Sequence, residues 1–404
     1  MNEQRRLSSA WVLVLLLAAV GCRTVTDESK GDETQSAGPA VDSISTNRMS
    51  IRYARNFSVS YHDAYKIIRL ASNDEEHNQL KPRYVVLVQR GRPKPQLPDS
   101  LADALVMEVP VRSAAVNEDG DASRITALGE IDKLIGLGGG EIYDPELRKR
   151  WEQKRIASLG YSFHSLPETE VLLSLRPDVL FLFTHDPEQM KGLDQFRQLG
   201  IRAVPVLAWD EPSFLGKAEW IKFTALFFNA EAKADSLFTR IETRCLKLMQ
   251  LAHQQRPPVK VLSFHPSNGL GFAHRNDFFA SYLTAAGGVN VLADQGPNRV
   301  ARMTNEEVYA LARNADVWIV ADTSDTSSEW PPASYLNGFK AYRNGQLYHY
   351  HRRVHYAHNA YDWYETAEVR PDLVLADLVS IFYPNVLPDH SLFFFKKVHL
   401  TKQN

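Results

Sequence analysis

Cysteine is almost missing from this chain: of 404 residues, only Cys22 and Cys245 carry a thiol. Two cysteines cannot build the disulfide framework on which small exported domains rely, so the fold must be held by an apolar core. An excess of either charge is also missing. Lys and Arg number 46 against 48 Asp and Glu, a formal net charge of -2. That balance lacks the basic excess of a general nucleic-acid binder, and no nucleic-acid partner is expected. No apolar run reaches the roughly 20 residues of a comfortable membrane span. Nucleophile-elbow, metalloprotease-helix and paired-carboxylate motifs are absent as well, which speaks against a hydrolase or transferase. The glycine-rich GLGGGE at Gly136 has neither the Lys nor the Ser/Thr of a phosphate loop, nor a dinucleotide fingerprint. It reads as a flexible loop beside a cleft.

What is present begins at the N-terminus. Arg5 and Arg6 precede WVLVLLLAAVGC, and a basic start, a short apolar core and small residues make a secretory signal over residues 1–22. Ala19-Val20-Gly21-Cys22 resembles the bacterial lipoprotein box, in which the cysteine is acylated and becomes the mature N-terminus. Ala19 is a less usual first residue than leucine, and the alternative is a plain secreted signal with an incidental cysteine. Acyl chains anchor firmly, since each buried methylene contributes about 0.8 kcal/mol. Lipid on Cys22 is the one covalent group expected. With Cys22 so used, no intrachain disulfide is left. Cys245 falls in a helical pattern and reads as a small buried filler. Residues 23–48 are polar, small and Gly/Pro-containing, and read as a flexible tether.

From residue 49 to 95 the runs FSVSYH, YKIIRLAS and RYVVLVQR are β-branched and aromatic, and predict consecutive antiparallel strands. Beyond them the pattern becomes β/α. EVPVRSAAV reads as a strand, PELRKRWEQKRI as a helix, and ETEVLLSLRPDVLFLFT as a helix entering a buried strand. MKGLDQFRQLGI and RAVPVLA repeat that order, giving a first α/β lobe over 96–211. Residues 212–256 form one long helical stretch that Asn229 breaks, with NAEAKAD as a capped restart. A second α/β lobe follows over 257–404. Two Rossmann-like β/α lobes joined by a long linker helix leave a cleft, where small ligands commonly bind.

Several stretches carry a family resemblance. ITALGEIDKLIGLGG, ETEVLLSLRPDVLFL, LGIRAVPV, LGKAEWIKFTALFFN, AAGGVNVL, NEEVYALARNADVWIV and YETAEVRPDLVLADLVSIFYPNVLPDH span about residues 109–397. Their order and spacing resemble the class III periplasmic binding proteins of ABC importers, of the branch that handles iron-siderophores, haem and cobalamin. The resemblance implies a lipid-anchored carrier on the periplasmic side of a bacterial envelope membrane. It would deliver a ferric chelate to a permease and its ATPase through a small hinge motion. It also implies one permease-facing acidic residue on each lobe. Glu170 matches in the first lobe, and Glu306, with Glu307 beside it, in the second. A solvated helix face is the alternative for each.

Ligand contacts are expected from loops at strand C-terminal ends. In the first lobe these are 114–123, 138–144 and 184–190, with Trp209 and Asp210 after the last strand. In the second they are 265–275 and 322–330, bringing His265, His274, Arg275 and Trp330. The stretch LYHYHRRVHYAHNAYDWYE leaves three readings open beside a structural one. His349, His351, His355 and His358 could ligate a metal directly, although no carboxylate or thiolate set accompanies them. A His or Tyr could hold haem. Arg352 or Arg353 with Tyr356, Tyr361 and Trp363 could form an aromatic and cationic wall for a bulky anionic chelate. Arg352, Tyr356, Tyr361 and Trp363 are the preferred contacts, and His349 and His351 the weaker candidates.

Overall fold

The computed structural model describes residues 48–72, 82–160, 165–184, 187–266, 269–293, 300–320 and 332–398. The signal, Cys22, the tether and Trp330 lie outside the described residues. Among the described residues no helix is long and apolar enough to cross a membrane.

Burial alternates along β1 (Phe57–Tyr61) and β2 (Tyr65–Leu70), while β3 (Arg83–Gln89) is buried from Val85 onward; each runs antiparallel to the next. β4 (Leu105–Val109) lies parallel to β3 and completes this sheet. Here the structure departs from the sequence reading, which gave EVPVRSAAV to the first lobe as one strand. Pro110 has no amide to continue a ladder, so the run is divided. Its second half, β5 (Ala114–Val116), starts another sheet.

That second sheet is all parallel, with β5 central. β6 (Leu134–Leu137) and β7 (Ala157–Ser158) lie on one side; β8 (Val179–Phe183) and β9 (Ala203–Val206) on the other. VLFLF is buried along its whole length, as a strand covered on both faces requires. The covering helices are α1 (Asp119–Ala127), α2 (Pro145–Glu152), α3 (Thr169–Leu175) and α4 (Pro187–Gln198).

The long helical stretch is two helices, α5 (Phe214–Phe228) and α6 (Glu231–His253). Asn229, left-handed at φ 54, breaks them, but no side chain caps the restart at Ala230. Both cores share the pair. Phe214 and Leu215 pack into the second lobe while Trp220 to Phe228 pack into the first. In α6 the order reverses: Phe238 lies in the first core, and Ile241, buried Cys245 and Leu248 in the second. Every residue of α5 is buried, so its charges need partners. Glu219 accepts from the amides of Arg52, Tyr53 and Ala54 at 2.7–3.1 Å, which pins the chain ahead of β1 onto the helix.

In the second lobe β10 (Val259–His265) is central. β11 (Leu270–His274) runs antiparallel to its end, and β12 (Gly288–Asn290) runs parallel beside its start. β13 (Val300–Thr304) pairs with β11, and the parallel β14 (Val317–Val320) and β15 (Leu347–His349) extend the sheet. A hairpin of β16 (Val354–His355) and β17 (Ala360–Tyr361) follows. β18 (Lys396–Lys397) closes the sheet, antiparallel to β15. Asp377 places that tail by accepting from the amides of Phe393, Phe394 and Phe395 at 2.7–3.1 Å. The helices here are α7 (Phe278–Ala285), α8 (Asn305–Ala312), α9 (Ala333–Leu336), α10 (Lys340–Arg343), α11 (Thr366–Val369) and α12 (Pro371–Phe382).

Candidate functional site

The loops after β5 and β6 meet those after β15 where the two lobes adjoin. On the second-lobe side the period-2 alternation of LYHYH is kept. Tyr348 and Tyr350 enter the core, and the His349 and His351 rings lie together, 5.0 Å apart. Both histidines are buried. The His351 ring also meets Tyr361 at 4.9 Å and Tyr350 at 4.9 Å. Among the described residues no group of three His, Cys, Asp or Glu is placed to hold a metal ion. His355 and His358 are exposed on the hairpin, and His355 stacks on Tyr143 of the first lobe at 4.4 Å.

The preferred wall residues divide. Tyr361 is half-buried against His351. Trp363 is a core side chain, stacked on Tyr350 at 4.2 Å and edged by Phe279, Phe394 and Phe395. It supports the wall from behind. Tyr356 is 60% exposed, and its hydroxyl accepts from Lys396 Nζ at 3.1 Å. Arg352 is exposed too, whereas Arg353 lies on the seam. The Arg353 Nε donates to Asp362, and its guanidinium lies 5.2 Å from the ring of Tyr143 and 4.3 Å from that of Phe393.

The remaining expected contacts also spread out. Trp209 leaves the end of the first-lobe sheet and meets Phe278 of α7 edge-on at 5.1 Å. Lys217 Nζ lies 4.3 Å from the Trp209 ring and 4.1 Å from the Phe278 ring. His265 is buried at the end of β10. His274 Nδ1 is 2.5 Å from Asp277, which caps α7 by accepting from the Ala280 amide at 2.9 Å. The His274 ring is 5.5 Å from Phe279, so it joins the aromatic chain that runs to Trp363 and Tyr350. Arg275 is half-buried beside it.

A set of charges that sequence reading missed stitches the lobes together. Arg124 of α1 donates to Asp121 at 2.6 Å and across the seam to Glu368 at 2.5 Å. Lys217 of α5 pairs with the other Glu368 oxygen. Glu365 accepts from the first-lobe amides of Tyr143 and Asp144, the latter at 2.7 Å. Desolvation pushes the Glu365 carboxyl up to about 7 against those two amides. Desolvation, with Asp121 and Glu368 adding to it, pushes Glu118 up to about 8. Asp119 is raised well above the usual range by desolvation and then by Glu365, Glu118 and Glu141. A cavity of about 230 Å³ opens here, lined by Ser123, Thr126, Tyr143, Arg353, Asp362 and Glu365 among others. Its first-lobe wall is thus largely hydroxyl and apolar, and the facing wall carries Arg353, Asp362 and Glu365.

Glu170 and Glu306 occupy equivalent places. Each is the second residue of the helix that leads into a buried strand, β8 or β14, and each is exposed. Glu307 is committed elsewhere: it closes a capping box with Thr304, accepting from its amide at 2.8 Å.

The profile of the family described as periplasmic binding protein matches residues 144–354, just over half of the chain. An uncharacterized lipoprotein of Methanocaldococcus jannaschii is 22% identical over 369 residues, covering 87% of this chain and 86% of that protein. Among solved structures, the periplasmic heme-binding protein RhuT from Roseiflexus sp. RS-1 is similar with a TM-score of 0.52 and 21% identity. That match covers 68% of this chain and 99% of RhuT. The periplasmic vitamin B12 binding protein BtuF of Vibrio cholerae is similar with a TM-score of 0.51 and 14% identity, covering 70% of this chain and 99% of BtuF. At these identities the likeness is one of fold.

Proposed function

This chain belongs to the periplasmic binding protein family, and on that premise we propose that it captures an iron-siderophore or related metal chelate for an ABC transporter. The chelate is held between the lobes and passed to an inner-membrane permease and its ATPase. The observation that carries this reading is the seam itself. Strand-end loops of both lobes meet there, and the cavity they enclose is lined by Ser123, Tyr143 and Asp144 of the first lobe and by Arg353, Asp362 and Glu365 of the second. Both walls touch the ligand, so binding favours one arrangement of the lobes, which is what a permease can read.

Charge refines the cargo. The sequence suggested an anionic chelate, and Arg353 in the cavity lining suits the acidic group of one. Glu118, raised to about 8, is largely protonated at neutral pH and does not oppose such a ligand. A haem or cobalamin carrier is the second reading. Buried histidine and tyrosine in the wall favour it, as do solved structures of similar fold that bind heme or vitamin B12. Lipid on Cys22 holds the protein to the periplasmic side of the membrane, in keeping with a relative named as a lipoprotein.

Titrating the purified protein with a ferric siderophore, haem and cobalamin tests the cargo. Quenching of tryptophan fluorescence by the siderophore alone is expected. A Soret band on haem addition moves the assignment to haem. Failure of all three at micromolar concentration overturns the transport reading.

A further inference from the structure

A second cavity, of about 290 Å³, lies behind the seam, between α6, α5 and the α11–α12 junction. It shares Ala127 and Val369 with the cavity of the cleft but opens on the linker side. Its floor is aliphatic, formed by Ile221 of α5, Leu237 and Ile241 of α6, and Val369. Its polar side chains are Arg240, Arg244, Arg370 and Asp372.

Three guanidiniums thus face one carboxylate. Asp372 is taken twice over, by Arg370 in a two-pronged pair at 2.8 and 2.9 Å and by Arg244 at 3.0 Å. Arg240 Nη1 donates to the neutral Ser236 hydroxyl at 3.1 Å. Nearby acids are engaged elsewhere: Glu368 by Arg124 and Lys217, Glu242 by Arg52 and Tyr53. Arg240 and Arg244 stand four residues apart on one helix, where like charges repel and weaken the helix. The cavity therefore carries a surplus of about two positive charges over an apolar floor.

We propose that this cavity binds an amphipathic anion, with its carboxylate or phosphate head between Arg240, Arg244 and Arg370 and a short apolar tail on Ile221, Leu237 and Ile241. Planar guanidinium forks suit such heads, and the tail replaces water on aliphatic surface. The site is separate from the cargo cleft and touches both lobes through α6 and Val369. Occupation therefore stabilises the lobe arrangement described above and binds more weakly to any other.

Calorimetric titration with octanoate, octanol and inorganic phosphate tests the assignment. Octanoate is expected to bind saturably, and more tightly than either control. The double variant Arg240→Ala/Arg244→Ala should weaken octanoate at least about tenfold, which is the loss of two charge-assisted contacts. Its chelate titration should match the parent, its melt should fall only modestly because Asp372 keeps Arg370, and Arg240→Lys/Arg244→Lys should recover part of the affinity. Equal binding of octanol overturns the anionic head, and equal binding of phosphate overturns the tail. Octanoate that ignores the double variant, or that does not bind at millimolar concentration, overturns the site.

Discussion

Glu365 of the second lobe accepts a hydrogen bond from the backbone amide of Asp144 in the first, at 2.7 Å. The same carboxylate takes the neighbouring Tyr143 amide, so one side chain holds a whole turn of the opposite lobe. Three residues on, Glu368 clamps Arg124 and Lys217. Closure of the lobes therefore rests on two second-lobe carboxylates.

Two carboxyls at the seam, Glu365 and Glu118, give stability a definite pH dependence. Glu365 is raised to about 7 and Glu118 to about 8 from an ordinary 4.5. An acid whose pKa is raised by folding binds its proton more tightly folded than unfolded, so stability falls as pH rises. The loss begins near the unfolded pKa of about 4.5 and is complete just above pH 8, at up to about 3 kcal/mol for Glu365. The melting temperature should accordingly decline from pH 5 to pH 8. Glu118→Gln and Glu365→Gln together should flatten that slope. A wild-type melt that rises over the same range contradicts the assignment.

Removing Glu368 acts in a different way. Its partners are buried, with the Arg124 side chain 2% and the Lys217 side chain 10% exposed. Deleting the carboxylate takes the ion-pair partner from Lys217 and leaves Arg124 with Asp121, and breaking a buried pair on one side destabilises by roughly 3–5 kcal/mol. Glu368→Ala should shift the denaturant midpoint by that amount. Glu170→Ala, on an exposed helix face, should stay within about 0.5 kcal/mol.

The β/α order was legible because buried strands such as VLFLF and VWIV carry their own pattern, and so do the left-handed break at Asn229 and the fully buried α5. The lobe-closing charges were not legible. Glu365 meets Asp144 across 221 residues and Glu368 meets Arg124 across 244, and no local period records such pairs. Arg352 and Arg353 are neighbours with the same chemistry. Asp362 and Phe393 decide which one turns to the seam, and both come from later in the chain. Trp363 read as wall because the buried tail Phe394–Phe395 that encloses it lies some thirty residues away.

That division of the wall can be measured. Trp363→Ala empties a core site and should cost roughly 3–5 kcal/mol of stability, as large aromatic truncations do. Trp363→Phe should keep chelate affinity. Tyr361→Ala should leave the melt nearly unchanged and weaken the chelate by about tenfold, whereas Arg353→Ala should weaken it as much and also lower the melt, because it removes the ion-pair partner of buried Asp362. Arg352→Ala should do neither. Affinity that follows Arg352 and ignores Arg353 would return the wall to the arrangement expected from sequence.

The proposed permease contact distinguishes two adjacent glutamates. Glu306 is exposed on the first turn of α8, while Glu307 is spent on the capping box with Thr304. Loss of that cap weakens a helix by about 1 kcal/mol. Glu307→Ala should therefore lower stability modestly and leave uptake intact. Glu306→Ala combined with Glu170→Ala should leave stability and chelate affinity intact and abolish uptake into cells, because each exposed carboxylate can pair with an arginine and fix docking register. The comparison is internal, since the two substitutions in α8 differ by one position. Uptake that fails with Glu307→Ala and survives the Glu170–Glu306 double change would place permease contact on another surface.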